Sequence, residues 1–278
     1  MMAVPTLKKI NIGNDGVISF RECGAGTPVV ILHGLGGRSE SWIPQYKALS
    51  DRYRVIGWDA PGYNESSEMA EMEPTLSDYV NIVKQFIDSL GLEYFHLVGH
   101  SVGTCLSAGF HKLYPEQLIS LTLAEAVIGN GRSSKVDQDK AIMARASDFE
   151  ELGIVGVARK KTPNSLSPNA DPKAIETAVE FATKVKVPGH LKLAQALIRG
   201  NIFDFIAPLN CPGLIIAGSD DRSAPAEFVE QIADAYPGID YQIIDGIGHQ
   251  IAFEKPEIFV KLLRNHIDKA EDFGKATK

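Results

Sequence analysis

The sequence predicts an α/β fold: a mostly parallel sheet of about eight strands, flanked by helices and interrupted by a helical insertion. Two observations lead to this prediction. Short apolar runs alternate with helical patterns before residue 128 and again after residue 203, as is typical of parallel sheets with crossover helices. Residues 128–203 contain helical patterns only. We therefore expect a core built from residues 1–127 and 204–278, with residues 128–203 as a separate helical unit.

The elements of the first core segment are recognised by β-branched or apolar runs between Gly, Asn and Asp turns. The run VVIL is apolar throughout, which is typical of a strand buried on both faces. The predicted strands are Leu7–Ile12, Val17–Cys23, Pro28–Leu32, Arg54–Trp58, Phe95–Val98 and Ser120–Ala126. The predicted helices are Ser39–Ser50, Thr75–Leu90 and Val102–Leu113.

The insertion and the second core segment are assigned in the same way. Two of the insertion's helices begin near Pro172 and Pro188, since proline is tolerated in the first turn. The insertion is predicted to hold helices Ser134–Ser147, Phe149–Lys160, Pro172–Lys184 and Pro188–Arg199. After it we expect strands Gly213–Ala217 and Asp240–Ile244, and helices Ala226–Tyr236 and Pro256–Asp268. The polar residues after Ile267 are expected to form a solvated, partly disordered tail.

Composition excludes several classes of function. A net charge of −7 argues against a nucleic-acid binder, which needs a basic face. No apolar run approaches the ~18–20 residues that span a bilayer, and the first residues lack the apolar stretch of a signal peptide. Three widely spaced cysteines, Cys23, Cys105 and Cys211, suggest free thiols in a reducing compartment, so we expect a cytoplasmic protein. No spacing typical of a metal site or a phosphate-binding P-loop is present.

The insertion differs from the core in charge. Residues 128–203 carry 12 Lys and Arg against 8 Asp and Glu, whereas the remainder carries 16 against 27. A basic unit over an acidic core would favour an anionic substrate electrostatically. The alternative is a solvated helical surface on which the excess of positive charge has no function. The sequence leaves both interpretations open.

The strongest local motif is Gly99-His100-Ser101-Val102-Gly103, between a predicted strand and a predicted helix. A serine on such a tight turn projects its hydroxyl above the sheet, and small residues two positions to either side relieve crowding. The helix that follows points N–H groups toward developing negative charge. The motif predicts that Ser101 is a nucleophile. An ordinary strand-to-helix turn is the alternative for the motif taken alone.

A second motif, His33-Gly34-Leu35-Gly36-Gly37, follows the buried strand VVIL. Glycines let the chain turn sharply and bring a backbone N–H close to a ligand. We assign the N–H groups of Leu35 and Val102 to an oxyanion hole, the pair of donors that stabilises an acyl-transfer intermediate.

A serine hydroxyl needs an adjacent base, and a carboxylate behind that base fixes its tautomer. His249 follows the strand YQIID, and Asp221 follows the strand GLIIAG. The ends of predicted parallel strands are where ligands bind in such sheets. Asp220 and Glu125 are alternatives for the acid, Asp220 because it adjoins Asp221 and Glu125 because it ends another strand. The residues alone leave these alternatives to Asp221 open.

Taken together, the stretches VVILHGLGG, WDAPGYNESS, LVGHSVG, IAGSDDRSAP and GIGHQIAFEKPEIF resemble the α/β-hydrolase superfamily over residues 17–268. The resemblance implies Ser101 as nucleophile, Asp221 as acid and His249 as base, with the insertion in the place of the family's helical cap. Some relatives, including certain haloalkane dehalogenases, place their acid at the position of Glu125. One departure is Asn64, where the family's turn usually has glycine.

The resemblance also implies a reaction. Family members with Asp at the nucleophile position form alkyl esters, whereas Ser101 implies acyl transfer to a serine without metal or cofactor. We expect a hydrolase of a small carboxylic ester or lactone. A hydrolase of C–C bonds beside a ketone and a ligand-sensing receptor on the same fold are the alternatives.

His33 and His100 are expected to orient the loops, and His190 is expected in the core or in the pocket.

Overall fold

The computed structural model of the protein describes residues 4–276 and confirms the predicted fold class. Eight strands form one sheet in the order β1-β2-β4-β3-β5-β6-β7-β8. The pairs β1–β2 and β2–β4 are antiparallel, and the other pairs are parallel. The strands are β1 (Leu7–Asn11), β2 (Val17–Cys23), β3 (Thr27–Leu32), β4 (Tyr53–Trp58), β5 (Phe95–His100), β6 (Leu118–Ala124), β7 (Gly213–Gly218) and β8 (Asp240–Ile244).

Nine α-helices accompany the sheet within the described residues, together with short 3₁₀ turns. They are α1 (Ile43–Leu49), α2 (Leu76–Ser89), α3 (Val102–Leu113), α4 (Lys135–Lys161), α5 (Pro172–Ala182), α6 (Val187–Arg199), α7 (Ala226–Ala235), α8 (Ile251–Glu254) and α9 (Pro256–Ala276). None of the helices in residues 4–276 combines the length and the apolar character needed to cross a bilayer.

Strand β3 shows why the sheet is buried on both faces. Its apolar side chains alternate between two clusters, because successive residues of a strand point to opposite faces. Val30 and Leu32 join the cluster that includes α2 and α3, while Val29 and Ile31 join the one that includes α1 and α9. Helices therefore cover both faces of the sheet.

The segment between β6 and β7 contains helices α4, α5 and α6 and no strand. The prediction of two helices, Ser134–Ser147 and Phe149–Lys160, is wrong at their junction. The chain remains helical across it, and the break in α4 lies instead at Gly153, whose φ of 63° and ψ of 173° are not helical. Glycine adopts this positive φ without the steric cost that a side chain would bring.

The expectation of a disordered tail after Ile267 is wrong through Ala276, where α9 ends. Ala270 is only 1% exposed, so the apolar stripe of the helix continues past Ile267. Glu271 also accepts a hydrogen bond of 2.6 Å from the hydroxyl of Thr27. The charged side chains of this region attach the helix to the core while they keep their charges near solvent.

The turn at Asn64 accommodates its departure from glycine. Asn64 has a φ of 47°, a conformation that asparagine adopts more readily than most residues with a side chain. Its amide donates to the buried carboxylate of Asp59 over 3.1 Å, and Ser39 N–H donates to the same carboxylate. The side chain thus stabilises the turn that glycine would form through flexibility alone.

Candidate active site

Ser101 lies on the turn between β5 and α3. Its φ of 54° is rare for a residue with a side chain and costs about 1–3 kcal/mol in general. Its N–H donates to the carbonyl of Ala124 at 3.0 Å, which holds the strained turn in place. A Cβ on Gly99 would lie 2.4 Å from the Gly103 oxygen, and one on Gly103 would lie 2.4 Å from the Leu32 oxygen. The turn therefore needs both glycines.

The structure brings Ser101, His249 and Asp221 together. The hydroxyl of Ser101 lies 2.8 Å from His249 Nε2, and His249 Nδ1 lies 2.7 Å from Asp221 Oδ2. Because a carboxylate only accepts, Nδ1–H donates to Asp221 and Nε2 is left to accept from the serine. The three residues are 7%, 6% and 3% exposed. This arrangement can move a proton from the hydroxyl to the imidazole.

Asp221 is supported by backbone donors. Its Oδ1 accepts from the N–H groups of Ser223 and Ala224 at 2.7 and 2.8 Å. Burial alone would raise the pKa of Asp221, but the hydrogen bond and charge of His249, together with these N–H groups, lower the pKa below its usual value. Asp220 faces elsewhere and accepts from the hydroxyl of Ser167 at 2.5 Å.

Glu125, the other alternative for the acid, is buried at the end of β6 with a φ of 53°. Its Oε2 lies 2.5 Å from Nε2 of His100, and its Oε1 accepts from Ile251 N–H at 2.7 Å. No hydrogen bond joins Glu125 to the His249 ring within the described part of the chain. Both contacts of Glu125 lead instead to the main chain beside His249. Ile251 N–H is part of that main chain, and His100 Nε2 also lies 3.1 Å from the His249 carbonyl.

A second buried carboxylate, Glu254, holds the other side of the same loop. It accepts from the N–H groups of Gly248 and Gln250, which flank His249, at 3.1 and 3.2 Å. It also accepts from Ser167 N–H at 2.8 Å. Neither Glu254 nor Ser167 was among the site residues predicted from sequence. Glu254 lies five residues after His249, a proximity that could have suggested it, whereas nothing local marks Ser167.

The charges around His249 set its protonation. Burial lowers the pKa of the imidazole. The hydrogen bond and charge of Asp221, together with the carboxylates of Glu125 and Glu254, raise the pKa by more than burial lowers it, so it lies above the usual 6.5. The His100 ring also lies nearby, with its centroid 5.5 Å from that of His249. The surroundings therefore stabilise an imidazolium, the state that follows proton uptake from Ser101.

The loop with the predicted oxyanion donors is held by three side chains. His33 lies 2.7 Å from the Gly34 carbonyl through Nδ1 and accepts from Ala60 N–H through Nε2. The Leu35 carbonyl accepts from the Tyr63 hydroxyl at 2.9 Å and lies 3.0 Å from His190 Nδ1. Within residues 4–276, neither Leu35 N–H nor Val102 N–H donates a hydrogen bond. Both donors are therefore available to a substrate oxygen.

A cavity of about 560 Å³ opens above Ser101 and His249. The core contributes the loop at Leu35, and the segment between β6 and β7 contributes residues such as Arg145 and Leu197. A smaller cavity of about 180 Å³ adjoins it through shared lining residues, and His190 lines this second space. His190 is thus both buried and part of a pocket wall. The described residues contain no group of three or more His, Cys, Asp or Glu placed to hold a metal ion.

Comparison with known proteins agrees with this architecture. The chain is 25% identical over 254 residues to the (E)-2-((N-methylformamido)methylene)succinate hydrolase of Acinetobacter baylyi, covering 90% of this chain and 94% of that protein. It is 27% identical to a putative carbamate hydrolase RutD of Caulobacter, covering 86% of this chain and 90% of that protein.

Among solved structures, a malate-bound esterase from Thermogutta terrifontis superposes with a TM-score of 0.83 at 24% identity, covering 95% of this chain and 99% of the esterase. The enol-lactonase of Burkholderia xenovorans superposes with a TM-score of 0.81 at 18% identity, covering 95% of this chain and all of that chain (100%). A family model described as the α/β hydrolase fold matches residues 27–256. The chain therefore belongs to the α/β-hydrolase fold family.

Proposed function

We propose that this protein is a serine hydrolase that cleaves a small carboxylic ester or lactone through an acyl-enzyme on Ser101. The observation that carries the proposal is the pair of hydrogen bonds from Ser101 Oγ to His249 Nε2 and from His249 Nδ1 to Asp221, at 2.8 and 2.7 Å. A strained turn at the end of β5 presents the hydroxyl to the cavity, and a buried carboxylate orients the base.

In the first half of the proposed reaction, Ser101 Oγ attacks the substrate carbonyl while His249 Nε2 takes the hydroxyl proton. The N–H groups of Leu35 and Val102 stabilise the negative oxygen of the tetrahedral intermediate. His249 then gives its proton to the leaving alkoxide, and the acyl group stays on Ser101. Asp221 remains ionised and stabilises the imidazolium formed between these transfers.

In the second half, water replaces the leaving group. His249 removes a proton from water as the water oxygen attacks the acyl carbonyl. The same two N–H groups stabilise the second intermediate. Collapse of this intermediate breaks the bond to Ser101, which recovers its proton from His249, and the carboxylic acid departs.

We further propose that residues 128–203 form a cap on a core of residues 1–127 and 204–278. Two observations support this division: helices α4 to α6 are confined to that segment, and it supplies one wall of the cavity above Ser101. A cap that excludes water strengthens the electrostatic interactions made in the site. We also propose a cytoplasmic enzyme that acts on a small molecule and binds neither nucleic acid nor membrane. The free thiols of Cys23, Cys105 and Cys211 support a reducing compartment, and the net charge of −7 opposes binding to nucleic acid.

An amide-type bond is a second candidate for the scissile bond. The relative from Acinetobacter baylyi is named for a substrate with a formamido group, and the Caulobacter relative is named as a carbamate hydrolase. Hydrolysis of such bonds would use the same nucleophile, base and oxyanion donors. The two candidates therefore differ in the leaving group, which a substrate series can vary directly.

The test is hydrolysis of 4-nitrophenyl esters from acetate to decanoate, with the matching 4-nitroanilides, by the wild type and by Ser101→Ala. We expect Ser101→Ala to lower kcat by about 10⁴-fold or more, because the nucleophile is lost. Incubation with a fluorophosphonate should modify Ser101, as detected by mass spectrometry of the digested protein.

Ser107→Ala is the matched control. Ser107 is buried on α3, and within the described residues its hydroxyl has no hydrogen-bond partner. It should retain turnover close to that of the wild type. Equal rates for Ser101→Ala and the wild type would refute the proposed nucleophile. Turnover of the anilides alone would shift the proposal to amide bonds, and a folded wild type without turnover or labelling would favour C–C bond cleavage or ligand sensing.

A further inference from the structure

Arg145 supplies a positive charge to the wall of the cavity above Ser101. It lies on α4 and lines both the larger cavity above Ser101 and the smaller one beside it. Among the described residues, it is the one Lys or Arg in the wall of the larger cavity, and neither wall includes an Asp or Glu. Lys161 lines the smaller cavity but pairs with Asp148.

The side chain of Arg145 makes no ion pair within residues 4–276, and the carboxylate of Asp148 attracts it only at longer range. Its guanidinium lies against His190, with Nη1 at 3.4 Å from His190 Nε2. His190 Nδ1–H donates to the Leu35 carbonyl, which leaves Nε2 as an acceptor. Burial and the charge of Arg145 lower the pKa of His190 to about 4, so the imidazole is neutral near pH 7. A neutral ring orients the guanidinium without neutralising it.

The other three arginines of residues 128–203 show how such a charge is usually accommodated. Arg159 is exposed to solvent, and Arg132 pairs with Asp204. Arg199 pairs with Glu73 and with Asp139 at the surface. Arg145 alone of the four is partly buried without an ion pair, because Asp148, whose charge attracts it from a distance, pairs with Lys161. Burial lowers the pKa of Arg145, although the guanidinium stays protonated. A buried charge is costly unless it is paired, so this site favours an anionic ligand.

We propose that Arg145 binds a carboxylate of the substrate, so that the hydrolase acts on acyl compounds that carry a carboxylate at the end remote from the scissile bond. The proposal rests on the function proposed above. A carboxylate fits better than a phosphate dianion, because the larger cavity offers a single cation and mostly apolar walls. The planar guanidinium can meet a carboxylate with two parallel hydrogen bonds.

The contact with His190 connects this anion site to the oxyanion loop. His190 lies between Arg145 and the Leu35 carbonyl, with distances of 3.4 and 3.0 Å to the two. A carboxylate bound to Arg145 would therefore be connected, through His190, to the loop that carries the Leu35 N–H. The remote end of the substrate and its scissile carbonyl are thus placed by neighbouring residues, which favours the reactive orientation.

The test compares matched substrates that differ in one charge: the mono-4-nitrophenyl esters of adipic, pimelic and suberic acids against 4-nitrophenyl hexanoate, heptanoate and octanoate. For the best pair, we expect the wild type to prefer the anionic ester by about tenfold or more in kcat/KM, as for a charge-assisted pair. Arg145→Gln should remove that preference mainly through a higher KM, and Arg145→Lys should keep part of it.

Arg159→Gln is the matched control, since it removes the same charge from the same helix at an exposed position. It should keep the wild-type preference. Calorimetric titration with adipate, pimelate and suberate gives a readout independent of turnover: the wild type should bind at least one, and Arg145→Gln should bind it at least tenfold more weakly.

The results separate the two proposals. If Arg145→Gln keeps the wild-type preference, or if no dicarboxylate binds to the wild type, the carboxylate site is refuted even when Ser101-dependent hydrolysis is observed. If dicarboxylates bind through Arg145 but Ser101→Ala leaves turnover unchanged, the anion site stands and the proposed function fails.

Discussion

Nε2 of His100 lies 2.5 Å from Oε2 of Glu125, in a buried pair beside the His249–Asp221 pair. The two pairs differ in what they hold. Asp221 contacts the His249 ring, whereas His100 and Glu125 contact the main chain of the loop that carries it. The carboxylate at the end of β6 is therefore placed to fix the position of the base and to influence its charge from a distance.

The first prediction concerns pH. His249 must be neutral to accept a proton, and its pKa is raised above 6.5. Activity should therefore rise with pH and level off only above a midpoint higher than 6.5. The measurement is kcat/KM for 4-nitrophenyl hexanoate from about pH 5 to about pH 9, which reports the free enzyme. A flat profile, or a midpoint below that of free imidazole, would contradict the assigned base.

Glu125→Gln should move this midpoint to lower pH. Removing one negative charge near His249 stabilises the imidazolium less, so the base stays neutral in more acidic solution. The change also costs one of the two hydrogen bonds that the carboxylate accepts, so kcat should fall. Glu151→Gln, an exposed position on α4, is the control. If Glu125→Gln lowers the rate without moving the midpoint, Glu125 has only a structural role.

The second prediction separates two adjacent carboxylates. Asp221→Asn should lower kcat by about 10⁴-fold, because an amide cannot hold the His249 tautomer that accepts from Ser101. Asp220→Asn loses a hydrogen bond from Ser167 and should cost far less. Parallel measurements of kcat on one ester, with circular dichroism to verify folding, check the contrast. A comparable loss in both variants would mean that the acid is misassigned.

The third prediction concerns the stability of the turn at Ser101. A Cβ on Gly99 would lie 2.4 Å from the Gly103 oxygen and 2.5 Å from the Ser107 hydroxyl. Gly99→Ala should lower the free energy of unfolding by about 1–3 kcal/mol, the usual range for overpacking. Urea unfolding measures it. Gly36→Ala is the control, because its Cβ would be 4.0 Å from its nearest neighbour, and equal stability of the two variants would contradict the crowding argument.

Local patterns predicted much of this molecule. The run Phe95–Val98 is mostly apolar and is followed by Gly99, so both the buried strand and the turn could be inferred from adjacent residues. The order of Ser101, Asp221 and His249 along the chain, with each after a predicted strand, indicated that they meet at one edge of the sheet. The distances of 2.8 and 2.7 Å between them agree with that inference.

Contacts between distant segments could not be predicted in this way. The bond from Ser167 to Asp220 joins residues 53 positions apart, and neither sequence neighbourhood indicates it. The orientation of Arg145 depends on how α4 packs, and its partner His190 lies 45 positions away. Helix α9 extends further than predicted because Ala270 is buried and Glu271 accepts a hydrogen bond from Thr27. The polar residues around these two positions gave no indication of either contact.

The segment 165–167 is attached to both loops that carry the proposed acid and base. The Ser165 carbonyl accepts from His249 N–H at 2.6 Å, and Ser167 bonds to Asp220 and Glu254. A Cβ on Gly248 would lie 2.5 Å from Leu166 main chain, so the fit is close. A chimera that exchanges residues 128–203 for the equivalent region of a relative would therefore also change the support of His249. Such a chimera should keep residues 165–167 of this protein, so that substrate specificity is transferred while the contacts that support His249 stay intact.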